Sequence, residues 1–345
     1  MEYRTLGSSG CNVSALGLGT MTFGHETDEA GAHAQLDMFI DAGGTFVDTA
    51  DVYTRGASES IIGSWLASRG ARDAIVLATK ARFPMSDSPL DSGASRRYLL
   101  AAVDASLARL GLDHVDLYQV HGWDPATPLE ESLAALATIV ESGRARYVGW
   151  SNVTAWQMQR IVDLAGMNGW APPVTVQPQY NLLDRAIEVE LMPMSLDAGL
   201  GILPWSPLGG GWLSGKYSPD ERPTGASRLG EDPNRGVEAY DKRNIDRTWR
   251  ILDVVQQIAE AHDASTAQVA LAWVMARPGI SSVLLGARTT DQLADNLGAK
   301  ELVLAPGELQ RLTEISAPGI PPYPYGMIRQ HCGVTAWDDL GTIDT

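Results

Sequence analysis

Short apolar runs alternate with longer amphipathic stretches along most of the 345-residue chain. Runs rich in Val, Ile, Leu and Phe, each bounded by turn residues, predict strands at Leu16 to Gly19, Thr45 to Val47, Ala74 to Ala78, Val115 to Gln119, Ala145 to Trp150, Val174 to Gln177, Ile202 to Trp205 and Ser282 to Leu285. Between them, apolar positions recur at helical spacing from Asp28 to Ala42, Ser58 to Ser68, Ser95 to Leu110, Leu129 to Glu141, Ala155 to Ala165 and Ile187 to Ala198. A helical pair, Asp246 to Ala261 and Ser265 to Ala276, precedes the last strand, and a further helix, Thr290 to Leu297, follows it. Parallel strands need crossovers of helix length, and the count suits a closed barrel. The expected fold is therefore α/β, a (β/α)8 TIM barrel.

Ahead of the first barrel strand, Tyr3 to Leu6 and Cys11 to Ser14 flank the turn Gly7-Ser8-Ser9-Gly10, the pattern of a short β-hairpin placed to plug the barrel floor. The expectation is one domain over 1–345, with a hairpin cap at 1–14, the barrel at 15–317 and a C-terminal loop at 318–345. The rhythm breaks between Ser206 and Asn244, where Gly, Pro, Asp and Arg dominate, and again in the tail. Loops of that length commonly carry function, so both are candidate pocket walls.

Composition narrows the function classes. A 44% hydrophobic and 20% charged chain can bury a sizeable core. A net charge of -16 and no run of Lys and Arg argue against nucleic acid and anionic membrane surfaces as partners. Cys11 and Cys332 are the two cysteines, with no CxxC and no histidine pair at ligand spacing, so neither a disulfide framework nor a metal site is expected. No signal segment or membrane span is visible, and a reduced, cytoplasmic protein fits.

Four polar residues stand at the ends of consecutive apolar runs: Asp48, Tyr53 five residues on, Lys80 and His121. Barrel enzymes deliver catalytic side chains to their mouth in this manner. A tyrosine with an ordinary pKa of about 10 is a poor proton donor to a carbonyl. A neighbouring Lys80 ammonium would favour the phenolate and tune Tyr53 into a usable acid, Asp48 would hold the lysine charged, and His121 would hydrogen-bond and orient the carbonyl.

The chain resembles the aldo-keto reductase superfamily over nearly its whole length. The likeness is carried by Gly44-Thr45-Phe46-Val47-Asp48-Thr49-Ala50-Asp51-Val52-Tyr53, by Thr79-Lys80, by Asp116-Leu117-Tyr118-Gln119-Val120-His121 and by Tyr147-Val148-Gly149-Trp150-Ser151-Asn152. Gln177-Pro178-Gln179-Tyr180-Asn181-Leu182, Trp205-Ser206-Pro207-Leu208 and Gly286-Ala287-Arg288-Thr289 continue it in order. The resemblance is nearest to a bacterial branch and extends to potassium-channel β subunits.

The resemblance implies an NADPH-dependent reductase of an aldehyde or ketone, with NADPH/NADP as cofactor, a small-molecule carbonyl substrate, Tyr53 as acid, Lys80 and Asp48 as its support, and His121 orienting the carbonyl. It assigns the nicotinamide to Ser151, Asn152, Gln177 and Trp205, and counts Thr20, Met21 and Asp48 among the cofactor-binding residues. Ser206, Pro207, Leu208, Gly209, Gly211 and Lys216 resemble the pyrophosphate loop. Gly286 and Arg288 would hold the adenosine 2′-phosphate, Gln292 and Asn296 the adenine, and Arg228 a further phosphate charge. Phe23, Met85 and Trp123 are expected to wall the substrate pocket, joined by Tyr323 and Trp337 from the tail. Two other readings are a cofactor-binding partner subunit with little turnover and a dedicated biosynthetic keto-reductase.

Overall fold

The computed structural model describes residues 1–225, 228–232, 234, 236–319 and 322–332. Its contacts cluster into two units, the first comprising Met1–Pro178, Met194–Trp205 and Pro278–Ala294. All the strands among the described residues lie in this unit.

β1 (Tyr3–Thr5) and β2 (Asn12–Ser14) form the antiparallel hairpin. Eight parallel strands follow: β3 (Leu16–Gly19), β4 (Phe46–Asp48), β5 (Val76–Ala81), β6 (Val115–Val120), β7 (Ala145–Ser151), β8 (Pro173–Gln177), β9 (Gly201–Ile202) and β10 (Val283–Leu285). The sheet runs β10-β3-β4-β5-β6-β7-β8-β9. Its ends meet through a parallel bridge from Ile202 to Ile280, with Ile202 N–H donating to Gly279 O at 2.9 Å and Leu284 N–H to Pro204 O at 3.0 Å. The fold is a (β/α)8 barrel, as the strand count predicts.

The hairpin closes the floor. Leu6 and Val13 are fully buried in one cluster with Phe46, Ala78, Leu117, Val174, Leu203 and Leu284 from the barrel strands. Each such side chain taken from water contributes about 1.5–3 kcal/mol. At the hairpin turn Gly7 adopts φ +60°, and a Cβ there would lie 2.6 Å from the Gly201 backbone nitrogen, so only glycine seats the turn against the start of β9.

The crossover helices of this unit begin and end where local chemistry dictates. α1 (Glu29–Asp41) starts at Asp28, whose carboxylate accepts from Gly31 N–H at 2.8 Å. α2 (Ala57–Arg69) and α3 (Arg96–Leu110) end on Gly70 and Gly111 in the left-handed region. α4 (Leu129–Glu141) buries Leu133, Leu136 and Ile139, and α5 (Ala155–Asn168) opens on a Thr154–Gln157 capping box.

The second unit comprises Gln179–Pro193, Ser206–Arg277 and Asp295–Thr345. Its helices Asp246–Ala261, Thr266–Met275 and Pro306–Ile315 surround a buried polar knot. Arg185 donates to Glu188 at 2.7 and 2.6 Å, to Ser316 Oγ at 2.9 Å and to the Thr313 carbonyl, while Tyr180 donates to Glu188 at 2.6 Å. The Pro306–Ile315 helix was not expected from the pattern. The stretch expected as one long loop from Ser206 to Asn244 instead carries short helical turns at Gly209–Ser214, Arg228–Glu231, Gly236–Glu238 and Tyr240–Arg243. The expected tail loop likewise includes a helix, Met327–Cys332, and Tyr323 is exposed. Trp337 lies outside the described residues. Among the described residues no helix is long and apolar enough to cross a membrane, and no group of three or more His, Cys, Asp or Glu side chains could hold a metal ion.

Candidate active site

The barrel register brings the four chemically singled-out residues together. Asp48 is the last residue of β4 and pairs with Gly19 and Ala78, and Lys80 in β5 pairs with Gln119 in β6. Lys80 was expected just past its strand; it lies inside it, because β5 runs on to Ala81. A lysine is tolerated there because every polar neighbour answers it. Its Nζ donates to Asp48 Oδ2 at 2.6 Å, to the Thr49 carbonyl at 2.8 Å and to Tyr53 Oη at 3.3 Å, with Lys80 0% and Asp48 2% exposed.

Burial alone would depress the lysine pKa, but the Asp48 charge and the Tyr53 hydroxyl outweigh it and hold the ammonium above its ordinary range. The other carboxylate oxygen, Asp48 Oδ1, accepts from Gln177 Nε2 at 2.9 Å and from Gln119 Nε2 at 3.3 Å. Gln119 was not singled out from the sequence. Its signal was there: Leu117, Gln119 and His121 alternate onto one face of β6, and a polar residue amid that run marks the inner wall.

His121 follows β6 directly and is 7% exposed. Its ring stands 5.8 Å from the Tyr53 ring and 4.5 Å from Phe83. Burial first, then the Lys80 and Arg82 charges, push its pKa well below the usual histidine range, so the imidazole is neutral at pH 7. Its Nδ1 is buried without a partner among the described residues. The histidine carbonyl accepts from Asn152 Nδ2 at 2.9 Å, and Asn152 Oδ1 accepts from Trp205 Nε1 at 3.1 Å. This chain of bonds fixes the indole edge at the mouth. Asn152 has φ 53°, a left-handed conformation that asparagine adopts more readily than most residues.

Behind the tetrad, Asp51 N–H donates to the Lys80 carbonyl at 3.0 Å. Its carboxyl accepts from Tyr98 Oη at 3.3 Å and is pushed up to about 7 by burial first and then by the Glu59 carboxylate, itself bound by Arg109 at 2.6 Å. An unfolded aspartate ionises near pH ~3.9, so between roughly pH 4 and 7 the folded chain keeps a proton that the unfolded chain releases, and stability falls as pH rises through that window. Asp51→Asn is expected to shrink the stability lost between pH 5 and 8 by on the order of 2–4 kcal/mol, measured by urea unfolding at both pH values. An unchanged difference would exclude Asp51 as its source.

The remaining predicted residues fall into two groups. In the first unit, Thr20 Oγ1 donates to the Asp48 carbonyl at 3.1 Å and Ser151 Oγ to the Gln177 carbonyl at 2.8 Å, so both hydroxyls already serve the barrel backbone. Met21 and Met85 are half-buried, and Trp123 packs edge-on to Trp156 at 5.7 Å. Phe23 is fully buried and presents no surface to a pocket in this structure. Gly286 is exposed; Arg288 reaches Glu26 at 3.4 Å, and its N–H donates to Gln292 Oε1 at 2.9 Å. Part of the helix N-terminus expected to bind an anion is thus capped by its own glutamine.

In the second unit, Gly209, Gly210 and Gly211 turn with φ 57°, 68° and 93°. Their N–H groups donate to Ser206 O, Ser206 Oγ and Leu208 O, so the amides expected to meet phosphate bind the loop itself. What the missing side chains admit is a cation: a Cβ on Gly211 would lie 2.6 Å from Lys216 Nζ. Pro207 is buried and Asn296 is 4% exposed, while Arg228 pairs with Glu238 at 3.1 Å.

Comparison with known proteins agrees with this geometry. Residues 15–317 match the model of the Aldo/keto reductase family. The chain belongs to the aldo/keto reductase family. It is 38% identical to the uncharacterized oxidoreductase YrpG of Bacillus subtilis, covering 91% of this chain and 96% of that one. It is 35% identical to the L-glyceraldehyde 3-phosphate reductase of Escherichia coli strain K12, over 92% and 93% of the two chains. It is 34% identical to a probable voltage-gated potassium channel subunit beta of Oryza sativa, over 88% and 92%. As an aldo/keto reductase the chain is an oxidoreductase acting on carbonyls, and Asp48, Tyr53, Lys80 and His121 stand where its barrel strands end.

Proposed function

We propose that the protein reduces an aldehyde or ketone to the alcohol with NADPH, using Tyr53 as the general acid. The observation that carries this reading is the buried Lys80 ammonium, which binds Asp48 at 2.6 Å and Tyr53 Oη at 3.3 Å at once. A cation is held at full strength against the one hydroxyl that must give up a proton.

The residues suit a nicotinamide dinucleotide. Trp205 is half-exposed with its edge tied to Asn152, leaving an aromatic plane. Asn152 and Trp205 would hold the nicotinamide and Arg288 the 2′-phosphate. When bound, the cofactor supplies the hydride to the carbonyl carbon. The chain's own part is proton delivery. Tyr53 donates to the carbonyl oxygen, Lys80 stabilises the charge left on the phenolic oxygen, and Asp48, anchored by Gln119 and Gln177, prevents the ammonium from swinging away. The neutral His121 offers one N–H to the same carbonyl oxygen without competing as an acid.

NADPH consumption in the presence of aromatic and short aliphatic aldehydes tests the reading. Tight NADPH binding without aldehyde-dependent oxidation would favour the partner-subunit alternative, which the likeness to the rice channel subunit keeps open. For cofactor choice, Arg288→Ala is expected to weaken NADPH about tenfold more than NADH, because a charge-assisted bond to the 2′-phosphate is lost for one and not the other. Equal weakening in a fluorescence titration would place the phosphate elsewhere.

A further inference from the structure

The end of β5 carries two cations, and one of them is unanswered. Lys80 is neutralised by Asp48, whereas the side chain of Arg82, two residues on, makes no hydrogen bond or salt bridge among the described residues, and its Nε is buried without a partner. The side chain is half-buried, with the guanidinium 5.3 Å from the centre of the Phe83 ring. That ring lies 4.5 Å from His121. One aromatic ring therefore neighbours both the guanidinium and the histidine of the tetrad.

The carboxylate that feels this charge is already used. Asp124 feels the Arg82 charge, but its Oδ2 accepts from Ala94 N–H at 2.7 Å and Thr127 Oγ1 at 2.7 Å, and its Oδ1 from Ala126 N–H at 3.1 Å. Asp124 is bound to its loops, and Arg82 remains without a bonded counter-ion. The backbone conformation is unusual as well. Arg82 has φ 142°, rare for a residue with a side chain, and its carbonyl is fixed by Gly93 N–H at 2.9 Å. Such outliers persist where surrounding structure enforces them and cluster at ligand sites. Removing a guanidinium partly from water without a partner is unfavourable unless an anion arrives to meet it.

We propose that Arg82 recognises the anionic group of the substrate, so that the preferred carbonyl compound carries a carboxylate or a phosphate. The inference rests on the reductase reading above and sharpens it to a substrate class. Phe83 neighbours both the charge that holds the anion and the histidine that meets the carbonyl, so one substrate reaches both groups.

The test pairs each anionic carbonyl with a neutral counterpart: 4-carboxybenzaldehyde with 4-methylbenzaldehyde, and glyceraldehyde 3-phosphate with glyceraldehyde. With NADPH, the wild-type ratio of kcat/KM within a pair is expected to favour the anion by about tenfold or more, chiefly through KM. The larger ratio of the two pairs identifies carboxylate or phosphate as the group. Arg82→Leu should remove the preference and Arg82→Lys should keep part of it. A wild-type ratio near one would overturn the proposal, as would a ratio that survives in Arg82→Leu or a variant that moves only the pH profile through His121. Calorimetric titration with terephthalate and with inorganic phosphate, with and without NADP, reads the same residue apart from chemistry. If no aldehyde is reduced but terephthalate or phosphate binding still depends on Arg82, the reductase reading fails and the anion site stands; if binding does not depend on it, the anion site fails.

Discussion

A Tyr53→Phe variant is expected to reduce aldehydes about 10²–10⁴-fold more slowly than the wild-type chain while still binding NADPH, the span that general-acid catalysis ordinarily contributes. The phenol oxygen is the group that the Lys80 ammonium faces at 3.3 Å, and the ring itself packs edge-on to His121. Phenylalanine keeps the ring and removes the proton, so the loss should appear in kcat with the cofactor affinity retained. Turnover at the wild-type rate would mean that another group protonates the oxygen.

The second large effect is on stability as well as rate. Lys80→Met leaves Asp48, 2% exposed, without its counter-ion. Breaking a buried pair from one side typically costs about 3–5 kcal/mol, because the remaining charge has lost its partner. Methionine roughly matches the lysine stem in length, so packing contributes little to the loss. The double variant Asp48→Asn/Lys80→Met removes both charges, and asparagine can still accept from Gln177; it should recover much of the stability and none of the activity. A double variant as unstable as the single one, by denaturant unfolding, would show that shape rather than charge governs the site.

How far the site was legible depends on where its information lies along the chain. Asp48, Tyr53, Lys80 and His121 fall within or just after strands that the apolar pattern reveals, and parallel neighbours in sequence are neighbours in the barrel. What each polar group bonds to is less local. Gln177 was expected to face the nicotinamide, yet it reaches across 129 residues to Asp48. Gln119 stands inside a motif that carries the likeness, but its bond to Asp48 joins residues 71 positions apart. The Arg185 knot joins residues 128 and 131 positions apart and involves no spacing that a sequence window can contain. Arg82 belongs to no motif, and a missing side-chain partner is visible only once every neighbour has been placed. The helical turns between Ser206 and Asn244 were hidden by their glycines and prolines, which read as loop whether or not a short helix intervenes.

The pairing of β10 with β3 joins Val283 to Leu16, whereas β4, β5 and β6, which position the tetrad, follow one another within the first 120 residues. The two tasks therefore differ in contact order. Closing the barrel requires a loop of most of the chain to be drawn together, an entropic cost that slows pairing. The Lys80–Asp48 bond spans 32 residues and needs no such closure. On a ribosome, the acid centre has all its strands long before the final strand emerges, and until then both edges of the nascent sheet are open to mispairing. The late strand is what ends that exposure.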